Sequence, residues 1–299
     1  KEINTNDKWI HSRTGIKSRY LASEGELTST LALQASLNAI ENSSISIDQI
    51  DLIVLATTTP DEVFPATATV LQSQLGLSGG IAFDIQAVCS GFVYALTVAD
   101  SMLKSGQGKK ALVVGAEVFS RILDWEDRST CVLFGDGAGA VVLDTSDISN
   151  NSSSRGILAS KLHSDGRMHD ALYVNGGPGS SKSSGFVKMD GKEVFKHAVV
   201  NMSSVVSELI SELEISIDEI DWLVPHQANK RILDSTAKKL GVPEEKVVVT
   251  VDKHANTSAA SIPLALDEAV RDGRIKSGDL VLLEAMGGGF TWGATLIRW

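Results

Sequence analysis

The chain has little of several features that would assign a protein to a specialised class. Its 299 residues include only two cysteines, too few for a disulfide framework and typical of a reducing compartment. No apolar run approaches the roughly 18 to 20 residues of a membrane span, and no secretory signal opens the sequence. The net charge of −10 provides no overall basic field to attract nucleic acid. These absences predict a soluble cytoplasmic protein with neither a membrane nor a nucleic acid as its partner.

A segment of ten residues near position 50 returns in the second part of the chain. Residues 45–54, ISIDQIDLIV, and residues 215–224, ISIDEIDWLV, are identical at seven of ten positions. A helical pattern precedes each segment, and a buried-strand pattern ends it. Two further pairs of segments are similar, namely 102–117 with 273–288 and 137–144 with 292–299. Since a period of about 170 residues is too long for a solenoid, we predict two similar α/β halves, residues 1–150 and 151–299.

Cys89 lies where a predicted strand passes into a helix. The stretch FDIQAVCSGFVYAL, residues 83–96, has an apolar strand pattern followed by an amphipathic helical pattern. Unpaired N–H groups at a helix start favour negative charge, so we expect this position to lower the pKa of the thiol and make it a nucleophile. The small residues Ser90 and Gly91 leave room for a ligand. The alternative is a buried structural cysteine, the interpretation that we give to Cys131 in its apolar run.

Two polar side chains in the second half occupy comparable places. His226 follows a predicted strand in VPHQANKRIL, and Asn256 follows VVVTV in KHANTSAAS. Strand ends of this kind form the ligand-binding edge of α/β proteins. Taken singly, the histidine is explained by a structural role and the asparagine by a helix N-cap. In a doubled fold the three turns can share one face, and Cys89, His226 and Asn256 then form a nucleophile with two hydrogen-bond donors.

Motifs along essentially the whole chain resemble the signatures of one family. AVCSGF, LFGDGAGA, LVPHQAN, HANTSAAS and EAMGGGFTWG occur in the order typical of β-ketoacyl-acyl carrier protein synthase III, which begins bacterial fatty-acid synthesis. The resemblance implies an α/β, thiolase-like duplicated fold with five layers, αβαβα, and a homodimer. It also implies a decarboxylating condensation of an acyl-CoA, expected to be acetyl-CoA, with malonyl-acyl carrier protein. Coenzyme A enters as the thioester substrate, and neither a permanently bound cofactor nor a metal is expected.

The same resemblance assigns individual residues. Cys89, His226 and Asn256 correspond to the family's catalytic residues, and the N–H groups of Cys89 and Gly288 to its oxyanion hole. The coenzyme A site corresponds to Thr5, Trp9, Arg13, Arg128, Met189, Gly191 and Phe195. Trp9 and Arg128 are expected on opposite faces of the adenine. The acyl pocket corresponds to Phe64, Phe134 and Met286, with Phe64 crossing the dimer interface.

A basic helix is expected to bind the acyl carrier protein, which is acidic in this family. Arg231 and Lys238 are seven residues apart in ANKRILDSTAKKL, which places them on one helix face. The complete set expected to bind the carrier protein is Lys196, Lys230, Arg231, Lys238 and Lys239. Without the resemblance, these are ordinary solvated side chains.

The chain departs from the family pattern in two places. Met286 precedes the glycine run where the family pattern leads us to expect phenylalanine, so the preferred acyl chain stays open. No counterpart of the family's first strand precedes Thr5, so either the chain is truncated or a central strand is missing. GDGAGA at 135–140 has a dinucleotide-like spacing, but a strand follows it instead of preceding it, and we predict close packing there.

Other classes share parts of the pattern. A thiolase needs a second cysteine near the C-terminus, and GGGFTWG has none. A condensing enzyme of polyketide or quinolone synthesis would share all three catalytic groups. A cysteine hydrolase also uses Cys, His and Asn in this order, but its usual surrounding motif is absent. A binding scaffold is disfavoured, because every chemical position is filled.

Overall fold

The computed structural model describes residues 3–145 and 155–299. Its helices are α1 (Asp7–Thr14), α2 (Thr28–Ser43), α3 (Thr67–Gln74), α4 (Gly91–Lys104), α5 (Arg128–Cys131), α6 (Gly191–Glu212), α7 (Lys230–Leu240), α8 (Val251–His254) and α9 (Ser261–Arg271). Its strands are β1 (Leu52–Ala56), β2 (Ile81–Ile85), β3 (Lys110–Glu117), β4 (Gly137–Asp144), β5 (Gly156–Ser164), β6 (Leu172–Val174), β7 (Val187–Met189), β8 (Trp222–Pro225), β9 (Leu280–Gly287) and β10 (Thr291–Arg298). None of these described helices combines the length and apolarity that a membrane crossing requires. The predicted boundary at residue 150 lies outside the described residues and stays a prediction.

The strands of the described residues form two four-stranded sheets with matching connections. Their orders are β2-β1-β3-β4 and β5-β10-β9-β8, beside a short β6-β7 pair. In the first sheet β1 is parallel to β3, and β4 is antiparallel to β3. In the second sheet β8, β9 and β10 repeat this arrangement. Since the repeated segments 45–54 and 215–224 lead into β1 and β8, the predicted duplication is confirmed in the topology.

The position of β5, the first strand along the second half, indicates where the first strand of a half lies in its sheet. It lies at the outer edge of the second sheet, antiparallel to β10. The equivalent place in the first half is beside β4, and no strand of the described residues pairs with β4 there. The expectation that the missing strand is a central one is therefore wrong. The strand that comes first along the chain in a half lies at the edge of its sheet.

Helices on both faces of the sheets produce five layers, as the predicted αβαβα architecture requires. α2 and α3 cover the outer face of the first sheet, and α6 and α7 cover the outer face of the second. α4 and α9 lie between the two sheets in one apolar cluster. Their buried faces carry small residues such as Ala95, Ala99, Ala265 and Ala269. These small side chains let both helices pack closely between the sheets.

Two strained turns lead into the central helices. Val88 and Ser258 have φ angles of 48° and 51°, a region that residues with a Cβ seldom adopt. Each begins a short 3-10 turn, Val88–Ser90 or Ser258–Ala260, that passes directly into α4 or α9. Such strain persists only where the surrounding structure holds it, and it concentrates at functional positions. Cys89 follows Val88, so the turn determines the position of its thiol.

Candidate active site

The three residues predicted to be catalytic meet in one cavity. Cys89 lies between β2 and α4, His226 follows β8, and Asn256 follows α8. All three line a cavity with a volume of about 430 Å³. The segment before residue 146 therefore contributes the thiol, and the segment after residue 154 contributes the imidazole and the amide.

Burial determines the charge state of the Cys89 thiol. Only 4% of the residue is exposed, and burial raises the pKa of the thiol to about 12. The nearby Ser258 hydroxyl counteracts this rise, and the charge of Glu117 adds to it. The predicted lowering of the pKa is therefore wrong, because α4 begins only at Gly91 and the loss of hydration outweighs the field of its N-terminus. The resting protein holds a neutral thiol.

His226 is also neutral in its resting state. It is 2% exposed, and burial lowers the pKa of its imidazole to about 3. Its Nδ1 lies 2.6 Å from the hydroxyl oxygen of Ser261. Its backbone N–H donates to the carbonyl oxygen of Glu284 at 2.7 Å. These contacts hold both the ring and the backbone of His226, and a neutral imidazole offers one N–H donor and one acceptor.

Gln227 holds the loop that carries His226. Its side-chain NH₂ donates to the carbonyl oxygens of Pro225 at 2.8 Å and Val248 at 3.0 Å. Its Oε1 accepts hydrogen bonds from two backbone N–H groups where α8 begins, at 2.7 and 3.0 Å. All four hydrogen-bonding positions of this buried amide are therefore occupied. The end of β8 is tied in this way to the segment that leads to Asn256.

Within the described residues, the Asn256 side chain is held by a hydrogen bond at one end of its amide. Its Oδ1 accepts a hydrogen bond from the Ser258 backbone N–H at 2.9 Å, the kind of contact that the N-cap interpretation predicted. This bond identifies the oxygen end of the amide, so the NH₂ group is left to donate. The capping and the catalytic interpretations are compatible, because they use different atoms of one side chain.

A glycine at the end of β9 allows the backbone to approach Cys89. A Cβ at Gly287 would lie 2.5 Å from the Cys89 backbone nitrogen, far inside the roughly 3.5 to 4.0 Å of an ordinary contact. The next residue, Gly288, has a backbone N–H that donates to no backbone acceptor within the described residues. An unpaired donor of this kind is suited to an oxyanion.

Most residues expected at the nucleotide and acyl sites also line the cavity. They are Trp9, Arg13, Arg128, Phe134, Met189, Gly191, Phe195 and Met286. The Arg128 guanidinium lies 4.8 Å from the centre of the Trp9 ring. Arg231, expected on the carrier-protein surface, lines the cavity as well and lies 5.6 Å from the Phe195 ring centre. The cavity thus combines an apolar buried end at Phe134 with a cationic and aromatic end.

Comparison with known proteins identifies the family. The model of 3-oxoacyl-[acyl-carrier-protein] synthase III matches residues 83–166, and the model of its C-terminal part matches residues 210–299. A β-ketoacyl-[acyl-carrier-protein] synthase III of Erythrobacter litoralis is 63% identical over 297 residues, which cover 99% of this chain and 92% of the relative. The chain belongs to the synthase III family.

Solved structures agree with this assignment. The synthase III of Aquifex aeolicus VF5 has a TM-score of 0.93 and 47% identity, over 99% of this chain and 92% of that one. The priming β-ketosynthase of the R1128 polyketide pathway has a TM-score of 0.91 and 34% identity, over 99% and 88%. The predicted thiolase-like fold and family are therefore confirmed. This synthase III is an acyltransferase of the condensing type, and it carries out the initiating condensation of fatty-acid synthesis.

Some residues assigned by resemblance lie outside the cavity lining of this synthase III. They are Thr5, Phe64, Lys196, Lys230, Lys238, Lys239 and Gly288. Thr5 precedes α1, and its buried hydroxyl has no hydrogen-bond partner among the described residues. Phe64 is 82% exposed on the loop before α3. The four lysines lie on α6 and α7, where Lys230 pairs with Asp234. Their expected roles in binding stay predictions.

Sequence reasoning missed the residues that support the groups predicted to be catalytic. Ser261 and Gln227 lie inside the motifs HANTSAAS and LVPHQAN, and their polar side chains within otherwise buried segments were the available signal. Glu117 gave no such signal. Its buried carboxylate accepts hydrogen bonds from the Thr59 hydroxyl at 2.8 Å and the Thr58 N–H at 3.0 Å, while burial raises its pKa to about 7.

Proposed function

We propose that this synthase III condenses a short acyl-CoA, acetyl-CoA in the first instance, with malonyl-acyl carrier protein, and that Cys89, His226 and Asn256 carry the reaction. The observation that supports the proposal is the shared cavity of these three residues. A thiol can hold an acyl group as a thioester, which splits one difficult condensation into two easier steps. Imidazole and amide N–H groups can stabilise an enolate oxygen by donating hydrogen bonds to it.

In the first step, Cys89 Sγ attacks the thioester carbon of the acyl-CoA. The new bond joins sulfur to the acyl carbon, the bond to the coenzyme A sulfur breaks, and the thiol proton leaves on coenzyme A. Because burial holds the pKa of the Cys89 thiol at about 12, the proton is transferred during the attack and no stable thiolate precedes it. The N–H groups of Cys89 and Gly288 would stabilise the tetrahedral oxyanion.

In the second step, malonyl-acyl carrier protein loses CO₂ and leaves an enolate. His226 and Asn256 each donate a hydrogen bond to the enolate oxygen, a preorganised contact worth about 10²- to 10³-fold per donor. The enolate carbon then attacks the acyl carbon on Cys89. The carbon–sulfur bond breaks with its electron pair on sulfur, and the resulting Cys89 thiolate takes up a proton from water. The product is a β-ketoacyl thioester on the carrier protein.

The nucleotide part of coenzyme A would occupy the cationic end of the cavity. The Trp9 ring can stack on the adenine, and Arg13 can approach the phosphates. At 4.8 Å, the Arg128 guanidinium leaves no space for a base between itself and Trp9. Arg128 must therefore move off the ring when an adenine binds there.

We infer a cytoplasmic homodimer that receives an acidic carrier protein. Val63 and Phe64 are 74% and 82% exposed on one loop, and neighbouring large apolar side chains are expected to be covered by another protein surface. A second copy is the partner that the family resemblance implies. Arg231 and Lys238 on α7 provide positive charge beside the cavity on a protein whose net charge is −10.

Acetylation of Cys89 tests this proposal. After incubation with acetyl-CoA, intact and peptide mass spectrometry should find one acetyl group on Cys89, and Cys131→Ala should leave it in place. Cys89→Ala should abolish condensation but keep some malonyl decarboxylation, whereas His226→Ala and Asn256→Ala should reduce decarboxylation most. An acetyl group on Cys131, or equal loss of both activities in all three variants, would contradict the assigned roles.

A different primer is the second candidate. The 34% identity to a priming polyketide ketosynthase shows that the same scaffold occurs outside fatty-acid synthesis, and Met286 is a flexible wall of the acyl pocket. A series of acyl-CoA primers of increasing length and branching separates the candidates. Preference for a long or branched primer would overturn the acetyl assignment and leave the condensing mechanism intact.

A further inference from the structure

Ser261 contacts one of the two ring nitrogens of His226. Its hydroxyl oxygen lies 2.6 Å from Nδ1. Ser261 is the first residue of α9 and is 2% exposed. Both partners are therefore buried, and a mismatched pair of donors or acceptors there would be costly.

The other contacts of the Ser261 hydroxyl indicate whether Ser261 or His226 carries the proton of the hydrogen bond between them. Its oxygen accepts a hydrogen bond from the Gln227 backbone N–H, at 3.2 Å. The hydroxyl has one proton of its own to donate. Among the described residues, the acceptor recorded within hydrogen-bond distance of that proton is Nδ1 of His226.

We propose that Ser261 is a positioning residue that donates its hydroxyl proton to Nδ1 of His226 and thereby fixes the imidazole tautomer whose Nε2 carries the proton. The proposal deepens the proposed function, because it rests on the assignment of His226 as a donor to the enolate. With Nδ1 held against α9, Nε2 is the nitrogen available to the cavity that His226 lines.

The Ser261 contact at Nδ1 favours one orientation of the His226 ring, and hydrogen bonds of the backbone hold the segment that carries it. Its N–H is tied to Glu284 in β9, and the fully bonded Gln227 amide fixes the next residue. A ring flip would place the protonated Nε2 at Ser261 and withdraw the donor from the cavity. His226 therefore acts as a hydrogen-bond donor throughout, and it does not accept the Cys89 proton as a resting base.

The wild-type protein gives a direct test by ¹⁵N NMR with labelled histidine. At pH 7, His226 should show a protonated Nε2 and an unprotonated Nδ1, with the signals assigned by their loss in His226→Gln. This measurement needs no altered fold and no substrate. A protonated Nδ1 in wild-type protein would overturn the proposal.

Ser261→Ala tests the consequence for the reaction. The variant should show a mixed or reversed His226 tautomer, and malonyl decarboxylation should fall about 10-fold, a part of the 10²- to 10³-fold effect of losing a whole donor. Acetylation of Cys89 should stay within about twofold, because that step uses the backbone N–H groups. Ser261→Thr, which keeps the hydroxyl, should restore most of the decarboxylation. Ser36→Ala is the matched control, since Ser36 is a buried serine bonded only within its own helix α2.

The remaining outcomes also decide between explanations. Equal loss of acetylation and decarboxylation in Ser261→Ala would show a general structural role, and unchanged decarboxylation would show no role. If His226→Ala keeps full decarboxylation while wild-type His226 has the expected tautomer, the enolate role of His226 fails and the assignment of the Ser261 proton survives.

Discussion

Replacing Gly287 by alanine should slow the acetylation of Cys89. The added Cβ would lie 2.5 Å from the Cys89 nitrogen, 3.1 Å from the Ala87 carbonyl oxygen and 3.2 Å from the Cys89 Cα. All three are backbone atoms, so a rotamer change cannot relieve the contacts. Restoring a normal separation moves the turn that carries Cys89 by about 1 Å. A misplacement of that size can reduce the rate of a positioned reaction about 10²-fold.

The rate of Cys89 acetylation by acetyl-CoA, followed by mass spectrometry in single-turnover experiments, measures this effect. The free energy of unfolding should fall by only about 1–3 kcal/mol, the usual penalty of overpacking, so the variant should remain folded. Gly179→Ala is the matched control, because a Cβ there meets no atom within 4 Å. A folded Gly287→Ala protein that is acetylated at the wild-type rate would refute the argument that this glycine admits the Cys89 backbone.

Three further predictions concern other parts of the molecule. Trp9→Ala should raise the KM for acyl-CoA about 5- to 100-fold with little change in kcat, since stacking on a base contributes about 1–3 kcal/mol; an unchanged KM would contradict the adenine site. Gln227→Glu should lower the free energy of unfolding by about 2–4 kcal/mol in denaturant titrations, because two donors to buried carbonyls are replaced by acceptors. Burial raises the pKa of the Glu284 carboxyl to about 8, above the value of 4.5 for an ordinary glutamate, which the unfolded chain retains. The folded protein therefore binds a proton that the unfolded chain releases between these two pH values. The stability from this group is present below about pH 4.5 and is lost as pH rises towards 8. Glu284→Gln should abolish that decline, and an identical pH profile of unfolding would contradict it.

Local patterns were sufficient to single out three residues that the structure brings into one cavity. Cys89, His226 and Asn256 were found because each follows a recognisable strand or short apolar run, and the repeated segments indicated that two such sets of strand ends belong together. The order of strands within each sheet was not accessible in this way. Sequence order suggests that a first strand is central, whereas β5 shows that it is an edge strand.

Properties created by packing between distant segments were not predictable from local patterns. The pKa of Cys89 was expected to fall because a helix follows it, but complete burial has the opposite and larger effect. Ser261 is 35 residues from His226 and 34 residues from Gln227 along the chain. Nothing in either motif indicates which of their atoms meet. Their importance becomes visible only when α9 is packed against the end of β8.

The groups predicted to be catalytic come from different copies of a repeated unit. The turns Val88–Ser90 and Ser258–Ala260 occupy equivalent places, and Ala259 stands in the second turn where Cys89 stands in the first. Of these two turns, only the first carries a thiol. With the roles proposed for Cys89, His226 and Asn256, neither copy of the repeated unit contains all three groups, so one copy alone would lack part of the proposed reaction machinery.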